Sequence, residues 1–298
     1  DDTSWPVDEI RGAMVTEQAL NPDRVFAVHP PALLDGYGPL AVWKMNRPED
    51  IAAAVARFTD YPFDAAALSL STETAAYQVN GLVKYRLFDA YRRDESLARI
   101  AEHLLREKDF DLFMITFRGV DFTSHGFWKF REPDKYPVPP EQVAYFRDVV
   151  DRYYRYADEL LGRMLARTDE RTAVLVVSDH GFQGRETDII NYRDVSSSGR
   201  HNLEGLFLLS GAPFRRTEGF QEASLYDVAP TVLYLMGLPL TDEMIGKPLV
   251  QWMDEDFVKA RRIKKIGSYG PYRAMRRKAG SDMTREEVEL MKQLGYLQ

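Results

Sequence analysis

The spacing of apolar residues predicts alternating helices and strands over most of the chain. Helical periodicity, with apolar positions three and four residues apart, occurs in several segments. The predicted helices cover residues 48–56, 95–107, 142–166 and 224–236. Short apolar runs bounded by polar or turn residues are typical of strands. The predicted strands cover residues 110–117, 172–178 and 205–210.

Local signals mark the ends of several of these helices. Asp94 is placed to cap a helix over residues 95–107, whose apolar stripe is Leu97, Ile100, Leu104 and Leu105. Ser224 and Asp227 have the spacing of a capping box, and Gly237 stands where that helix would end.

The carboxy-terminal segment repeats the pattern, which predicts a terminal helix. Thr284 and Glu287 have capping-box spacing, and Gly295 marks the end of the helix.

The order of the elements predicts an α/β fold. The three strands are apolar almost throughout, as expected of strands covered on both faces. We therefore predict an open, mainly parallel sheet with helices on both faces. Residues 1–45 are rich in Pro, Gly and Asp and are predicted to be irregular chain. Functional groups of such sheets gather beyond the carboxyl ends of the strands.

Three of the five histidines flank these strands. Asp121 and His125 follow the first strand, Asp179 and His180 follow the second, and His201 precedes the third. Each motif alone has an ordinary interpretation, such as a turn with a solvated histidine or a helix cap with a surface residue. Together they supply imidazole and carboxylate groups, which are ligands for Zn²⁺ or Mn²⁺. The sequence therefore predicts a metal site, and two neighbouring ions would suit a phosphoryl group.

Composition narrows the chemistry. The absence of cysteine excludes disulfides, Cys-ligated zinc, iron–sulfur clusters and thiol nucleophiles. The net charge of −7 argues against specific nucleic-acid binding. Residues 259–278 nevertheless hold nine basic residues and no acidic one. We interpret this run as a solvated face or tail, with an anionic membrane or RNA contact as the alternative. The sequence indicates no cellular compartment.

The three histidine motifs resemble the ordered metal motifs of the alkaline phosphatase superfamily. The stretches that carry the resemblance are FRGVDFTSHGFWKF, VLVVSDHGF and GRHNLEGLFLLSG. They are similar to the type I phosphodiesterase/nucleotide pyrophosphatase and predicted phosphohydrolase/phosphomutase branch. The resemblance covers residues 108–250 well, the tail moderately and residues 1–90 poorly. It implies an alkaline-phosphatase-like fold that is incomplete at its amino-terminal end.

The resemblance also implies roles for the motif residues. Asp121, His125 and His201 would hold one divalent ion, and Asp179 and His180 a second. Zn²⁺ is the expected ion and Mn²⁺ the alternative. The resemblance further implies hydrolysis or transfer of phosphate esters through a Thr or Ser phospho-enzyme.

Two parts of the implied site have no matching position in this chain. These are a second Asp at the end of the family's first strand and the Thr or Ser nucleophile. Ser71 and Thr72 follow an apolar stretch, but no carboxylate-bearing strand precedes them. The catalytic nucleophile is therefore unassigned.

Three explanations of this gap stay open: a fragment, a half-protein completed by a partner chain, or a degenerate member that binds metal without turnover. The first is the expectation, because the chain opens on Asp1 and not on Met. For the chain alone we expect weakened metal affinity and poor turnover.

Lys129 and Arg200 lie near the motifs and are candidates to bind the oxygens of a phosphate ester or nucleotide-like substrate. Plain surface charges are the alternative. The implied organisation is an insertion or cap (1–107), a metal-binding α/β core (108–250) and a basic tail with a terminal helix (251–298). A sulfatase of the same superfamily is a rival, although residues 211–215 (GAPFR) carry Gly where its modified residue would stand. A non-catalytic metal-binding or scaffold protein is another.

Overall fold

The computed structural model describes residues 48–185 and 198–270 in full, together with the backbone of residues 12–17 and 26–29. The chain forms two compact units, Asp1–Leu209 and Ser210–Gln298. Helices and strands are mixed in the described residues, so the α/β class is confirmed. The division into residues 1–107, 108–250 and 251–298 stays a prediction.

The helices and strands have the following bounds. The helices are α1 (Pro48–Val55), α2 (Ala75–Leu82), α3 (Asp89–Glu107), α4 (Gly119–Arg131), α5 (Pro140–Phe146), α6 (Val149–Leu165), α7 (Val228–Leu235) and α8 (Glu255–Ala260). The strands are β1 (Gly12–Glu17), β2 (Phe26–His29), β3 (Leu112–Ile115), β4 (Val174–Val177), β5 (Gly181–Gly184), β6 (Gly199–Asn202), β7 (Phe207–Ser210), β8 (Leu240–Thr241) and β9 (Lys265–Ile266). A π-helical segment, Val83–Phe88, joins α2 to α3.

The strands form four small sheets in the described part of the chain. β1 is the central strand of the largest, antiparallel to β2 and parallel to β3. The other sheets are β4–β7, the antiparallel pair β5–β6 and the parallel pair β8–β9. Met114 on β3 is 45% exposed and Val177 on β4 is 38% exposed. The described residues therefore do not cover these strands on both faces, and the open parallel sheet stays a prediction.

The prediction of irregular chain over residues 1–45 is wrong where β1 and β2 form. Both strands are short and lie between Pro- and Asp-rich stretches, so local composition hides them. The parallel register sets Gly12 opposite Leu112 and Val15 opposite Ile115. Strand formation here depends on a partner far along the chain, which local propensity does not reveal.

Helix α3 begins earlier than its apolar stripe suggests. The helix starts at Asp89, so Asp94 lies inside it and the prediction that Asp94 caps it is wrong. The stripe itself is confirmed, because Leu97, Ile100 and Leu104 are buried. Asp94 is buried as well, with its side chain turned towards the start of α4.

The long helix predicted over residues 142–166 is two helices. α5 ends at Phe146 and α6 begins at Val149. Asp148 between them has φ −98° and ψ 0°, outside the usual helical range. The predicted apolar face nevertheless holds across the break, because Phe146, Val150 and Leu160 are all buried.

Helix α4 lies at the centre of the first unit, in contact with α3, α5 and α6. Its Phe127 and Phe130 are fully buried and pack against Phe146 of α5 at ring-centroid distances of 5.5 and 5.1 Å. Burial of each such ring contributes about 2–3 kcal/mol. This aromatic packing fixes one side of the helix that carries Asp121 and His125.

In the second unit the predicted capping box is confirmed. The Ser224 side chain accepts from backbone N–H groups, and the Asp227 carboxylate accepts from the Ser224 N–H at 3.0 Å. Gly237 ends the segment with φ +73°, which favours glycine. The box of Thr284 and Glu287, the predicted terminal helix and Gly295 lie outside the described residues. Among the helices described, none combines the length and apolarity needed to cross a membrane.

An ionic network joins α3 to α6. Arg163 donates to Glu95 at 2.6 Å and to Glu102 at 2.8 Å. Burial raises the pKa of Glu95, but hydrogen bonds from Arg163 and Arg99 outweigh it and the net pKa is lowered. The hydrogen bond from Arg163 is also the main reason that the pKa of Glu102 is lowered. Both carboxylates therefore stabilise the fold above their unfolded pKa and lose that contribution as the pH falls through the folded values.

We predict that Arg163→Met lowers the free energy of unfolding by about 2–3 kcal/mol at pH 7, because Glu95 is left buried without its main partner. The loss should shrink below about pH 4.5, where the carboxyls become protonated. Urea unfolding at pH 7 and pH 3.5 measures both values. Lys135→Met, which breaks an exposed pair with Glu132, should cost less than about 1 kcal/mol. An equal loss for Arg163→Met at both pH values would contradict this account.

Candidate metal centre

The first two candidate ligands lie on one face of α4. Asp121 is in the first turn, and His125 follows one turn later, so both side chains project to the same side. His125 Nε2 lies 3.3 Å from Asp121 Oδ1. The two side chains are 3% and 14% exposed, respectively, so the pair is almost wholly withdrawn from solvent.

The hairpin β5–β6 brings the other two histidines to this face. His201 lies on β6 opposite Phe182 of β5, and His180 immediately precedes β5. His201 Nε2 lies 3.0 Å and His180 Nε2 3.9 Å from Asp121 Oδ1. The His180 and His201 rings are stacked with centroids 3.6 Å apart. Three imidazoles therefore surround one carboxylate.

Backbone carbonyls orient two of these rings. His125 Nδ1 lies 2.9 Å from the carbonyl oxygen of Gly199, and His180 Nδ1 lies 3.0 Å from that of Gly181. Because a carbonyl oxygen only accepts, each Nδ1 must carry the proton and donate it. Nε2 of each ring then faces Asp121 and is the nitrogen that could bind an ion. This is the usual arrangement of metal-binding histidines, whose other nitrogen is held by a backbone or carboxylate acceptor.

The protonation equilibria favour the metal-binding forms. Burial raises the pKa of Asp121, but the hydrogen bond and charge of His125, together with His201, outweigh it and the net pKa is lowered. Burial lowers the pKa of His201, and the neighbouring His180 lowers it further. The centre therefore favours an ionised carboxylate beside neutral imidazole, and both are competent ligands.

The donor atoms of Asp121, His180 and His201 all lie within 4.8 Å of one another, as a shared ion requires. His125 Nε2 joins them at 3.1 Å from His201 Nε2. Asp179 is 72% exposed at the edge of the group, 3.6 Å from His180 Nε2. The nitrogen and oxygen donors fit Zn²⁺ or Mn²⁺. The geometry does not separate the five residues into the two predicted ligand sets. His180, predicted for the second ion, lies within 4.8 Å of Asp121 and His201, which were predicted for the first.

The two predicted substrate ligands occupy different environments. Lys129 lies on the same face of α4 as His125, one turn further, and is 7% exposed. Burial lowers the pKa of its ammonium group to about 8. Arg200 is exposed and precedes His201 on β6, so its side chain projects from the opposite face of the strand. In the amide orientation that satisfies both groups, Gln183 accepts from Arg200 at 2.7 Å. Substrate binding by either residue stays a prediction.

Phe182 and Ser198 support the site, although neither is a predicted ligand. The Phe182 ring packs edge-on against His125, with centroids 4.9 Å apart, and it also contacts His201 and Trp128. A side chain at Gly199 would overlap with the Phe182 ring, so only glycine permits this packing. Alternation with His201 along the hairpin was the signal that could have identified Phe182.

Ser198 joins the hairpin to the backbone of α4. It is 1% exposed, its N–H donates to the carbonyl of His125 at 2.7 Å, and its hydroxyl accepts from the N–H of Lys129 at 3.0 Å. The hydroxyl also donates to the His125 carbonyl at 3.2 Å. The side chain thus bridges one turn of α4 directly before Gly199, whose carbonyl orients His125.

Comparison with known families identifies the chain. The family model for type I phosphodiesterase / nucleotide pyrophosphatase matches residues 22–199, more than half of the chain. The chain belongs to this family. The matched part contains Asp121, His125, Asp179 and His180 and ends just before His201. The family belongs to the alkaline phosphatase superfamily, whose members use divalent metals, so the resemblance of the motifs is confirmed.

Three curated relatives of this family member are 2,3-bisphosphoglycerate-independent phosphoglycerate mutases. Those from Roseobacter denitrificans and Laribacter hongkongensis are 36% and 38% identical over 98 and 88 residues, and that from Clostridium kluyveri is 28% identical over 95 residues. The matches cover 30–32% of this chain and 16–18% of the relatives' length, so the chain spans less than a fifth of each relative. No match was found among solved structures.

We predict that Ser198→Ala weakens metal binding about 10-fold, because the segment that carries the Gly199 carbonyl loses its two hydroxyl hydrogen bonds to α4. Isothermal titration with Zn²⁺ measures the change. Ser96→Ala is the matched control: Ser96 is also buried and bonds to a backbone carbonyl, that of Arg92, but it lies on α3 away from the histidines. Its metal affinity should stay at the wild-type value. Equal affinities for Ser198→Ala and wild type would contradict the proposed support.

Proposed function

We propose that the chain carries the metal centre of a metal-dependent phosphoryl-transfer enzyme that hydrolyses or transfers phosphate esters. The observation that carries the proposal is the convergence of His125, His180 and His201 on the carboxylate of Asp121. Membership of the type I phosphodiesterase family supports phosphoryl chemistry. The mutase names of the curated relatives support transfer between phosphorylated molecules as an outcome besides hydrolysis.

The proposed ligands are Asp121, His125, Asp179, His180 and His201, serving two divalent ions, with Zn²⁺ expected and Mn²⁺ the alternative. When bound, such ions polarise phosphoryl oxygens and stabilise the charge that develops on them during displacement. The chain contributes an ionised Asp121, together with His125 and His180, whose Nδ1 atoms are held by backbone carbonyls and whose Nε2 atoms face that carboxylate. Exposed Asp179 would be free to turn towards an ion at the solvent edge of the group.

In the proposed reaction, a Thr or Ser oxygen attacks phosphorus in line and the ester oxygen leaves. A phospho-enzyme forms, which water or an acceptor hydroxyl then resolves. No residue of the chain is assigned as this nucleophile. Ser71 and Thr72 are exposed in the turn before α2, where Thr74 caps the helix. Their position gives no support to the nucleophile role.

Lys129 is the better supported of the two proposed phosphate ligands. It shares the metal-site face of α4, and its ammonium group is largely buried, where a phosphate oxygen would offset the cost of burying a charge. Arg200 faces away from His201 and bonds to Gln183, so it would have to leave that partner to reach substrate. We also propose that the strands belong to an alkaline-phosphatase-like sheet. The predicted insertion or cap over residues 1–107 would then exclude β1 and β2, which share a sheet with β3.

We predict that purified protein contains Zn²⁺ or Mn²⁺ by inductively coupled plasma analysis and that His201→Ala loses most of it. Loss of one of the converging ligands removes a direct bond to the ion. The control is His103→Ala, since His103 lies on α3 outside the cluster. A metal-free wild-type protein, or a His201→Ala variant with full metal content, would contradict the proposal.

The same preparations discriminate the rival functions. Aryl phosphate monoesters, phosphodiesters and sulfate esters are offered in parallel to wild type, His201→Ala and His103→Ala. Phosphate-ester turnover that disappears only in His201→Ala supports the proposed enzyme. Turnover of the sulfate ester alone favours a sulfatase, and metal binding without turnover favours a non-catalytic metal-binding protein.

Metal removal should also lower stability. A chelator is expected to reduce the thermal midpoint, and added Zn²⁺ or Mn²⁺ should restore it, because an ion bound only to the folded state stabilises it by mass action. At a free metal concentration 100 times the Kd, the stabilisation is about 2.7 kcal/mol. Differential scanning calorimetry measures the shift. His201→Ala should show no recovery on metal addition, and a recovery equal to that of wild type would contradict the ligand assignment.

A further inference from the structure

We propose that Asp94 is a positioning residue of the metal centre, which fixes the first turn of α4 and with it Asp121 and His125. The inference rests on the proposed function, because it concerns the same metal ligands. Asp94 lies on α3, 27 residues before Asp121 in the sequence. It belongs to none of the motifs that suggested the metal site.

The Asp94 carboxylate is buried against the start of α4. Its two oxygens accept from the N–H of Arg118 at 3.2 Å and from the N–H of Gly119 at 3.0 Å. Tyr153 of α6 donates its hydroxyl to the same carboxylate at 3.1 Å. The side chain is 2% exposed, so solvent does not compete for these bonds. One carboxylate therefore joins α3, α4 and α6.

This contact supplies a cap that α4 lacks in its own sequence. The residue at the cap position is Arg118, whose side chain makes no capping hydrogen bond. The first N–H groups of a helix have no partner within the helix, and the helix dipole favours negative charge there. Asp94 meets both requirements from a different helix. The orientation of α4 is consequently set by α3 and not by a local turn.

The approach of α4 to Asp94 is too close for any residue but glycine at its first position. A Cβ on Gly119 would overlap with the Tyr153 hydroxyl and with Asp94 Oδ2. The start of α4 thus lies in direct contact with the Asp94 carboxylate and the Tyr153 hydroxyl. A shift of the Asp94 side chain must move the helix start with it.

The two proposed metal ligands on α4 come shortly after the helix start that contacts Asp94. Asp121 stands two residues after Gly119, and His125 one turn beyond Asp121. Metal ligands tolerate only small displacements, since Zn²⁺ bonds to nitrogen and oxygen lie close to 2.0–2.2 Å. Release of the helix start would therefore move Asp121 relative to His180 and His201, which are held by the hairpin β5–β6.

Glu95 provides a matched comparison on the same helix. It is also a buried carboxylate, and Tyr156 of α6 donates to it at 3.0 Å as Tyr153 donates to Asp94. Glu95 pairs with Arg163 and Arg99, however, and makes none of the bonds that hold the start of α4. Substitution of Glu95 should perturb α3–α6 packing without moving the metal ligands.

The test compares Asp94→Asn with Glu95→Gln in the full chain, by titration with Zn²⁺ and by thermal unfolding without metal. Each substitution removes one charge at nearly constant volume. Both should lower the thermal midpoint. Asp94→Asn should also raise the Kd for Zn²⁺ about 10-fold, as loss of a supporting contact behind a ligand does, whereas Glu95→Gln should keep the wild-type Kd.

If Asp94→Asn fails to fold, a second pair of variants tests the role of Asp94. Tyr153→Phe removes only the hydroxyl that steadies Asp94, and Tyr156→Phe removes the equivalent hydroxyl at Glu95. A weaker Kd for Tyr153→Phe alone supports the proposal.

Two outcomes overturn the role of Asp94 while leaving the metal site standing. These are a wild-type Kd in both the Asp94 and Tyr153 variants, or equal losses in the Asp94 and Glu95 variants. A wild-type protein that binds no Zn²⁺ or Mn²⁺ overturns the proposed function, and this inference with it. The wild-type titration therefore separates the two failures.

Discussion

Three imidazole nitrogens lie 3.0–3.9 Å from one oxygen of the Asp121 carboxylate, in a place where solvent contributes little. Lone pairs and a negative charge repel at such distances unless a cation or proton lies among them. Backbone carbonyls hold protons on the far side of two rings, at Nδ1 of His125 and of His180. A cation or proton shared among these groups would relieve that repulsion, and α4 and the β5–β6 hairpin hold the side chains together at these distances.

Much of this centre follows from the sequence, because ligand identity and order are local properties. The spacing of Asp121 and His125 needs only one helical turn, and an apolar run next to each motif marks a strand. Asp94 was placed wrongly because a carboxylate before an apolar stripe has the pattern of an ordinary cap, while its actual partners lie on α4 and α6. The hairpin of β5 and β6 was missed because all of its residues except Phe182 are polar or glycine, and its pairing is tertiary.

Family membership and site geometry constrain different parts of the function. The family match and the mutase relatives indicate phosphoryl chemistry but cover only part of each relative's length. The geometry indicates where cations would sit, and it distinguishes a buried Lys129 beside them from an Arg200 turned away. Selectivity among phosphate esters would then depend on what surrounds Lys129, since the carboxylate–imidazole group itself contacts only ions.

The contact between Asp94 and the start of α4 also bears on the order of folding. It spans 24–25 residues of chain, whereas the contact between Asp121 and His201 spans 80. Closing a longer loop costs more conformational entropy, so short-range contacts tend to form first. Helix α4 would then pack on α3 before the β5–β6 hairpin brings His201 into contact with Asp121. The three histidines and Asp121 would thus come together late, after the helical scaffold has formed.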